Sequence, residues 1–222
     1  MRRSEINRRI AEAEAFFESM KFRLPPWSSR SPSDWRGRYA EESEIVDNML
    51  GWDLTDFGSG EFDYVGLLLF TLRNGRPGRD AKPYAEKIMI VAEGQVTPTH
   101  FHWSKMEDII VRAGGTLVLQ LWSSTPVEGL SEAPVCVRVD GALRELEAGS
   151  FLRLGPGESV CLEPRVYHRF YGESGKVLVG EVSSVNDDAS DNRFLESAGR
   201  FPRIEEDEEP LRLLATDYLR YL

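Results

Sequence analysis

The sequence has little histidine, little cysteine and no long apolar run. Among its 222 residues are three histidines and two cysteines. Two cysteines cannot build a disulfide framework. Cys136 and Cys161 lie in apolar, strand-like surroundings and read as core thiols, which fits a reducing cytoplasm. No stretch approaches the roughly 20 apolar residues of a membrane span. The opening segment, MRRSEINRRIAEAEAFF, scatters its charges and lacks the apolar run of a signal peptide. A cytoplasmic protein is therefore expected. A basic excess is missing as well: 27 Lys and Arg face 37 Asp and Glu, for a formal net charge of −10. That balance argues against nucleic acid and against an anionic membrane surface as partners. No internal repeat is visible.

What is present is a globular composition, 41% hydrophobic and 10% aromatic. Ser4 reads as a helix N-cap. Beyond it Ile6, Ile10, Ala13, Phe17 and Met20 recur at helical spacing, predicting an amphipathic helix over about residues 5–20. Leu24-Pro25-Pro26-Trp27 stops it. Ser31-Pro32 reads as a second cap with proline in the first turn. Ile45, Val46 and Met49 extend a second helical region that ends at Gly51. Residues 53–62 read as a loop.

From Val65 onward the pattern changes to short apolar or alternating runs between glycine, proline and charged turns. They cover 65–72, 87–91, 97–102, 108–111, 116–122, 135–139, 151–154, 159–162, 167–170 and 177–182. About ten strands without intervening helices predict an antiparallel sandwich or barrel. Residues 186–193 read as a polar loop and the acidic run 205–209 as a solvated one. The C-terminal LRLLATDYLRYL is apolar enough to dock on the body. The expected architecture is one domain over 1–222: a helical extension (1–62), a β-barrel core (63–184) and a C-terminal loop with docking segment (185–222).

All three histidines fall into one pattern. On a strand, residues two apart share a face, so His100 and His102 project together. A short turn returns Glu107 to the same point. His168 lies in another strand-like run, which a barrel brings opposite the first pair. Spending every histidine on one place is hard to explain by packing. Three imidazoles and a carboxylate suit Mn, Fe, Co, Ni or Zn, with open positions that point to catalysis.

The stretch Gly94-x5-His100-x-His102-x4-Glu107-x6-Gly114 matches the first cupin motif, G-x5-H-x-H-x3,4-E-x6-G, at each defined position. The second cupin motif is matched loosely: Pro164 and His168 are kept, and its central glycine is missing. Over nearly the whole chain, the segments EIVDNMLGWDLTDFGSG, KPYAEKIMIVAEGQVTPTHFHWSKMEDIIVRAGG and GEVSSVNDDASDNRF resemble the D-lyxose ketol-isomerase family of cupins. The resemblance implies a mainly β fold, a jelly-roll cupin barrel with N-terminal helices packed outside it. It also implies a manganese-dependent isomerase interconverting D-lyxose and D-xylulose, often also D-mannose and D-fructose, and a homodimer.

Such a reaction moves a proton between two adjacent carbons, which needs an electrophile and a base. Lys105, between His102 and Glu107, is expected at the metal rim. Lys87 shares a strand face with Met89 and Val91. Glu181 stands in the apolar run 177–182, where a carboxylate needs a partner. These three are the expected catalytic side chains, with Glu181 the candidate base. Asp187, Arg193 and Trp103 are the expected sugar contacts. Asp188 and Asp191, in the same polar loop as Asp187 and Arg193, could also bind sugar hydroxyls or serve as loop and cap residues. Gln95 and Thr97 are weaker candidates, and Tyr84, Phe101 and Tyr167 read as apolar walls or core. No glycine-rich phosphate cradle or tight Arg/Lys cluster appears, so free sugars are expected over phosphorylated ones. Two rival readings are a cupin dioxygenase and a non-catalytic sugar-binding cupin.

Overall fold

The computed structural model describes residues 1–185, 187 and 190–222. Helix α1 (Arg3–Ser19) forms where the periodicity places it, and buries Ile6, Ile10, Ala13 and Phe17. Helix α2 (Tyr39–Asp47) follows two 3₁₀ turns, Pro26–Ser29 and Pro32–Trp35. In the second turn the Asp34 carboxylate accepts both the N–H and the Oγ–H of Ser31. Helix α3 (Tyr218–Tyr221) closes the chain.

Among the described residues, eleven strands make one hydrogen-bonded antiparallel sheet that folds over without closing: β1 (Gly51–Thr55), β2 (Leu67–Arg73), β3 (Tyr84–Val91), β4 (Thr97–His102), β5 (Glu107–Ser123), β6 (Val135–Val139), β7 (Ala142–Leu146), β8 (Phe151–Leu154), β9 (Ser159–Leu162), β10 (Val166–Ser184) and β11 (Asn192–Phe194). The path runs β1-β2-β3-β10-β5-β9-β6-β7. β4 joins β10, β11 joins β4 and β8 joins β5. This is the mainly β, cupin-like jelly roll that the family resemblance implies, and the antiparallel β fold that the pattern of runs predicts.

Two strands hold the fold together. β5 and β10 run alongside each other from Ser123 opposite Val166 to Glu107 opposite Ser183. Each reads in the sequence as two short runs, because glycine interrupts the apolar pattern. The interruption is a bend, not a break. Gly114 sits at φ +93°, and a Cβ there would lie 2.2 Å from the Lys176 carbonyl oxygen. Only glycine accepts that conformation and that approach. The register shifts between Glu173 and Val177 at the same place. Past the bend each strand changes partners: β10 leaves β4 for β3, and β5 leaves β8 for β9.

Inside the fold, Leu69, Met89, Val111, Leu119, Val137, Leu154 and Val179 belong to one apolar core. A second core forms where α1 packs on the outer face of β1–β3, through Ile6, Ile10 and Phe17 against Trp52, Phe70 and Ile88. The helical extension therefore covers the folded sheet from outside.

Several expectations need correction. Residues 53–55 are strand, not loop, and β1 adds an edge to the sheet. β7 and β11 carry too few apolar residues to be read as strands. Ser4 is not the cap of α1: the cap position is Arg2, and the Ser4 N–H and Oγ–H both donate to Asp207. The acidic run 205–209 is thus exposed yet not merely solvated. Glu206 with Asp217 also grips Arg3, whose guanidinium is fully buried. Neither cysteine is a core residue. Cys136 is exposed on β6 and Cys161 half-buried on β9. Burial, with Asp108 beside it, pushes the Cys161 thiol up to about 11, which leaves it unreactive at neutral pH. No helix among the described residues is long and apolar enough to cross a membrane.

Candidate active site

The alternation of β4 puts His100 and His102 on the interior face and sends Phe101 to the other side, where it packs on Trp103 and Tyr167. His168 on β10 lies directly opposite His100. Glu107 starts β5 beside them. His100, His102 and His168 are all buried, and each offers one ring nitrogen within 4.8 Å of the others, a group able to hold a metal ion.

The ring orientations are fixed from behind. His100 Nδ1 lies 2.7 Å from the Pro98 carbonyl oxygen, and His168 Nδ1 lies 3.0 Å from that of Val166. A nitrogen facing a carbonyl must carry the proton, so both Nε2 atoms present lone pairs inward. Burial, with His168 and His102 alongside, holds His100 well below the ordinary histidine range. Burial likewise pushes His168 down to about 4. Both rings are neutral at pH 7.

Glu107 completes the set. Its Oε1 lies 3.2 Å from His168 Nε2 and 3.5 Å from His102 Nε2, and accepts no hydrogen bond. Burial raises the Glu107 pKa, but the Lys105 ammonium and His102 outweigh it and keep the carboxyl well below its usual range. An ionised oxygen and a neutral nitrogen lone pair thus face each other at 3.2 Å. They repel unless a cation lies between them, and at neutral pH His168 carries no second proton to serve. The donor set of three imidazoles and one carboxylate fits a divalent transition metal.

Lys105 links this set to a second acid. Its Nζ lies 2.7 Å from Glu107 Oε2 and 3.0 Å from Glu181 Oε1. Lys87 Nζ lies 3.8 Å from the same Glu181 oxygen, which also accepts the Ser183 hydroxyl. All four charged groups are at most 5% exposed. Burial raises the Glu181 pKa; Lys105 and then Lys87 more than offset it, so the carboxyl is lowered and ionised.

Asp187 lines a neighbouring cavity at Lys87 and Asp53, and Asp188 lies outside the described residues. Arg193 Nε donates to Glu128 at 2.7 Å. Trp103 is exposed and packs under the Arg165 guanidinium. Neither Arg193 nor Trp103 lines the metal-side space. Thr97 does. Gln95 donates to the Phe62 carbonyl and serves the loop, and Tyr84 is exposed at the start of β3. Tyr167 donates to the Glu128 carbonyl. Reading by pattern misses Asn192, Phe194, Phe57 and Arg200, which also wall the site. They come from β11 and irregular segments, so no periodicity marks them.

The family model for D-lyxose isomerase matches residues 1–218. The chain belongs to the D-lyxose isomerase family. A D-lyxose/D-mannose isomerase from Serratia proteamaculans is 50% identical over the full length of both chains. One from Escherichia coli O157:H7 is 47% identical, again over the full length of both. Among solved structures, the L-ribose isomerase of Acinetobacter sp. DL28 in complex with L-ribose superposes with a TM-score of 0.61 at 18% identity, covering 92% of this chain and 98% of that one. The L-ribose isomerase of Geodermatophilus obscurus gives the same TM-score, identity and coverage. These likenesses carry the fold. Family membership makes this member an isomerase and sets aside the dioxygenase and the non-catalytic readings.

Proposed function

We propose that the protein is a metal-dependent aldose–ketose isomerase of free sugars, converting D-lyxose to D-xylulose and D-mannose to D-fructose. The observation that carries this reading is the buried chain of His168, Glu107, Lys105 and Glu181, a metal-type donor set wired to a second ionised acid. The full-length D-lyxose/D-mannose isomerase relatives support the choice of sugars. His100, His102, Glu107 and His168 would hold the ion, Mn²⁺ by the family resemblance, with Co²⁺, Ni²⁺, Fe²⁺ or Zn²⁺ as substitutes. Such an ion would polarise the sugar carbonyl and offset the negative charge that grows on the neighbouring oxygens.

The side chains divide the proton work. Ionised Glu181 takes the proton from C2 of the open-chain aldose. The C2–H electrons become the C1–C2 double bond, and the carbonyl π electrons move onto O1. Glu181 then returns the proton to C1 while O2 loses its proton and O1 gains one, leaving the ketose. Lys105 and Lys87 hydrogen-bond the oxygens through these changes, and their charges keep Glu181 ionised between turnovers. Of the expected sugar contacts, Asp187 is the proposed one, since it lines the neighbouring cavity. One cupin domain, a homodimer and a cytoplasmic location complete the proposal.

The test is direct. Protein is stripped with chelator, restored with Mn²⁺, and mixed with D-lyxose or D-mannose in D₂O under proton NMR. Ketose with solvent deuterium at C2 of recovered aldose is expected. No ketose from protein with bound Mn²⁺ would sink the reading.

A further inference from the structure

The space beside the four metal-type donors measures about 40 Å³. Ligand pockets measure about 300–1,000 Å³, so that space alone is small for a five- or six-carbon chain. A cavity of about 460 Å³ lies next to it. Lys87 lines both spaces. Asp53 lines the larger one, while Arg200, which donates to Asp53, lines the smaller. The partition between the two is therefore Lys87 and one ion pair.

The sheet register connects them. Glu181, Lys87 and Thr71 stand directly opposite one another on β10, β3 and β2. Adjacent strands are about 4.8 Å apart, so this row runs about 10 Å from the acid near the metal-type donors to the wall of the larger cavity. Thr71, Lys87 and Asp53 are each at most 9% exposed. Phe201 and Ala215 add apolar surface to the same cavity.

We propose that the larger cavity is the binding chamber for the distal carbons of the substrate, those beyond the C1–C2 end that reacts beside Glu181. Thr71, Lys87 and Asp53 supply a hydroxyl, an ammonium and a carboxylate toward its hydroxyls, and Phe201 covers a C–H face. Among the described residues, the lining acids Asp47, Asp53 and Asp187 outnumber the lining bases Arg76 and Lys87, which favours an uncharged polyol over a phosphorylated one. This inference rests on the sugar-isomerase reading above.

The test needs no turnover. Mn²⁺-loaded protein is titrated calorimetrically with D-mannitol, a six-carbon polyol, and erythritol, a four-carbon one. Ala215→Met, which reduces the chamber, is expected to weaken D-mannitol at least tenfold and erythritol less than twofold. Thr71→Val, which removes a hydroxyl at constant shape, is expected to weaken D-mannitol about threefold or more, and carries the test if circular dichroism shows Ala215→Met unfolded. Equal weakening of both polyols, or of neither, overturns the chamber. Wild-type turnover separates the two readings. A chain-length effect without ketose would remove the isomerase and keep the chamber; ketose without the effect would do the reverse.

Discussion

Asp191 holds the backbone of Lys105. Its Oδ2 accepts the Lys105 N–H at 3.0 Å, and its Oδ1 accepts the Ser104 N–H at 2.9 Å. Its own carbonyl accepts from Trp103. The turn that carries Lys105 from β4 to β5 is thus pinned from the far side of the site. A carboxylate can accept both bonds, whereas an amide offers one acceptor oxygen.

Asp191→Asn is therefore expected to loosen the turn and let Lys105 drift from Glu107 and Glu181. A misplacement near 1 Å costs about 100-fold in rate, so kcat should fall about 10- to 100-fold with a much smaller change in KM. Steady-state kinetics on D-lyxose checks this. A KM effect alone would make Asp191 a sugar contact and not a positioning residue.

Glu181→Gln removes the proposed base and keeps its size. General-base loss costs about 10²- to 10⁴-fold, so kcat and the rate of deuterium exchange at C2 should fall together. Both Glu181→Gln and Glu181→Ala also leave Lys105 and Lys87 buried without that acid, and Glu181→Ala adds a small cavity. Breaking a buried pair costs about 3–5 kcal/mol, to be read from urea denaturation. Wild-type stability in both variants would contradict the buried network.

Acid should destabilise the metal-free protein well above the carboxylate range. His168 is pushed down to about 4, against 6.5 when unfolded. Its folded form stays neutral, so between these values the unfolded state binds the extra proton and stability falls as pH falls. A shift of this size corresponds to about 3 kcal/mol, fully present above pH 6.5 and lost on the way to 4. His100, held low by burial, acts in the same direction. The depressed Glu107 and Glu181 add losses below their unfolded value of 4.5. Denaturation midpoints of chelated protein at pH 7, 5.5 and 4.5 test the slope. Mn²⁺ at about 100 times its Kd should add about 2.7 kcal/mol, less at lower pH because protons compete for the same nitrogens.

The parts of this molecule that were legible from residues are those with a period. His100 and His102 alternate with Phe101, and Ile6, Ile10, Ala13 and Phe17 repeat every turn. Both patterns survive into the structure because burial on one face enforces them. Glu181 was legible for the opposite reason: a charge in an apolar strand has to be answered, and Lys105 and Lys87 answer it. β11 and the Asp53–Arg200 pair were not legible. Their residues follow no period and meet only after the chain has crossed the barrel. The bend at Gly114 was hidden too, since a glycine that lets one strand turn reads the same as a glycine that ends it.

The two ends of the chain lock together through Arg3, and this makes the last prediction. Arg3 donates to Asp217 at 2.9 and 3.0 Å and to Glu206 at 2.8 and 2.9 Å, with its guanidinium out of contact with solvent. Asp217 in turn accepts the Leu214 N–H, and the adjoining Ala215 N–H donates to the Trp52 carbonyl on β1. Arg3→Ala leaves Asp217 buried without its guanidinium partner and frees the start of α1, whose Ile6 and Ile10 cover the outer face of β1–β3. About 3–5 kcal/mol should be lost. Because Ala215 lines the proposed sugar chamber, the variant should also weaken D-mannitol, while the His100, His102 and His168 set stays intact. Calorimetry of polyol and Mn²⁺ binding on the same sample separates the effects: unchanged Mn²⁺ affinity with weakened D-mannitol is expected, and equal loss of both would mean that the whole barrel has loosened.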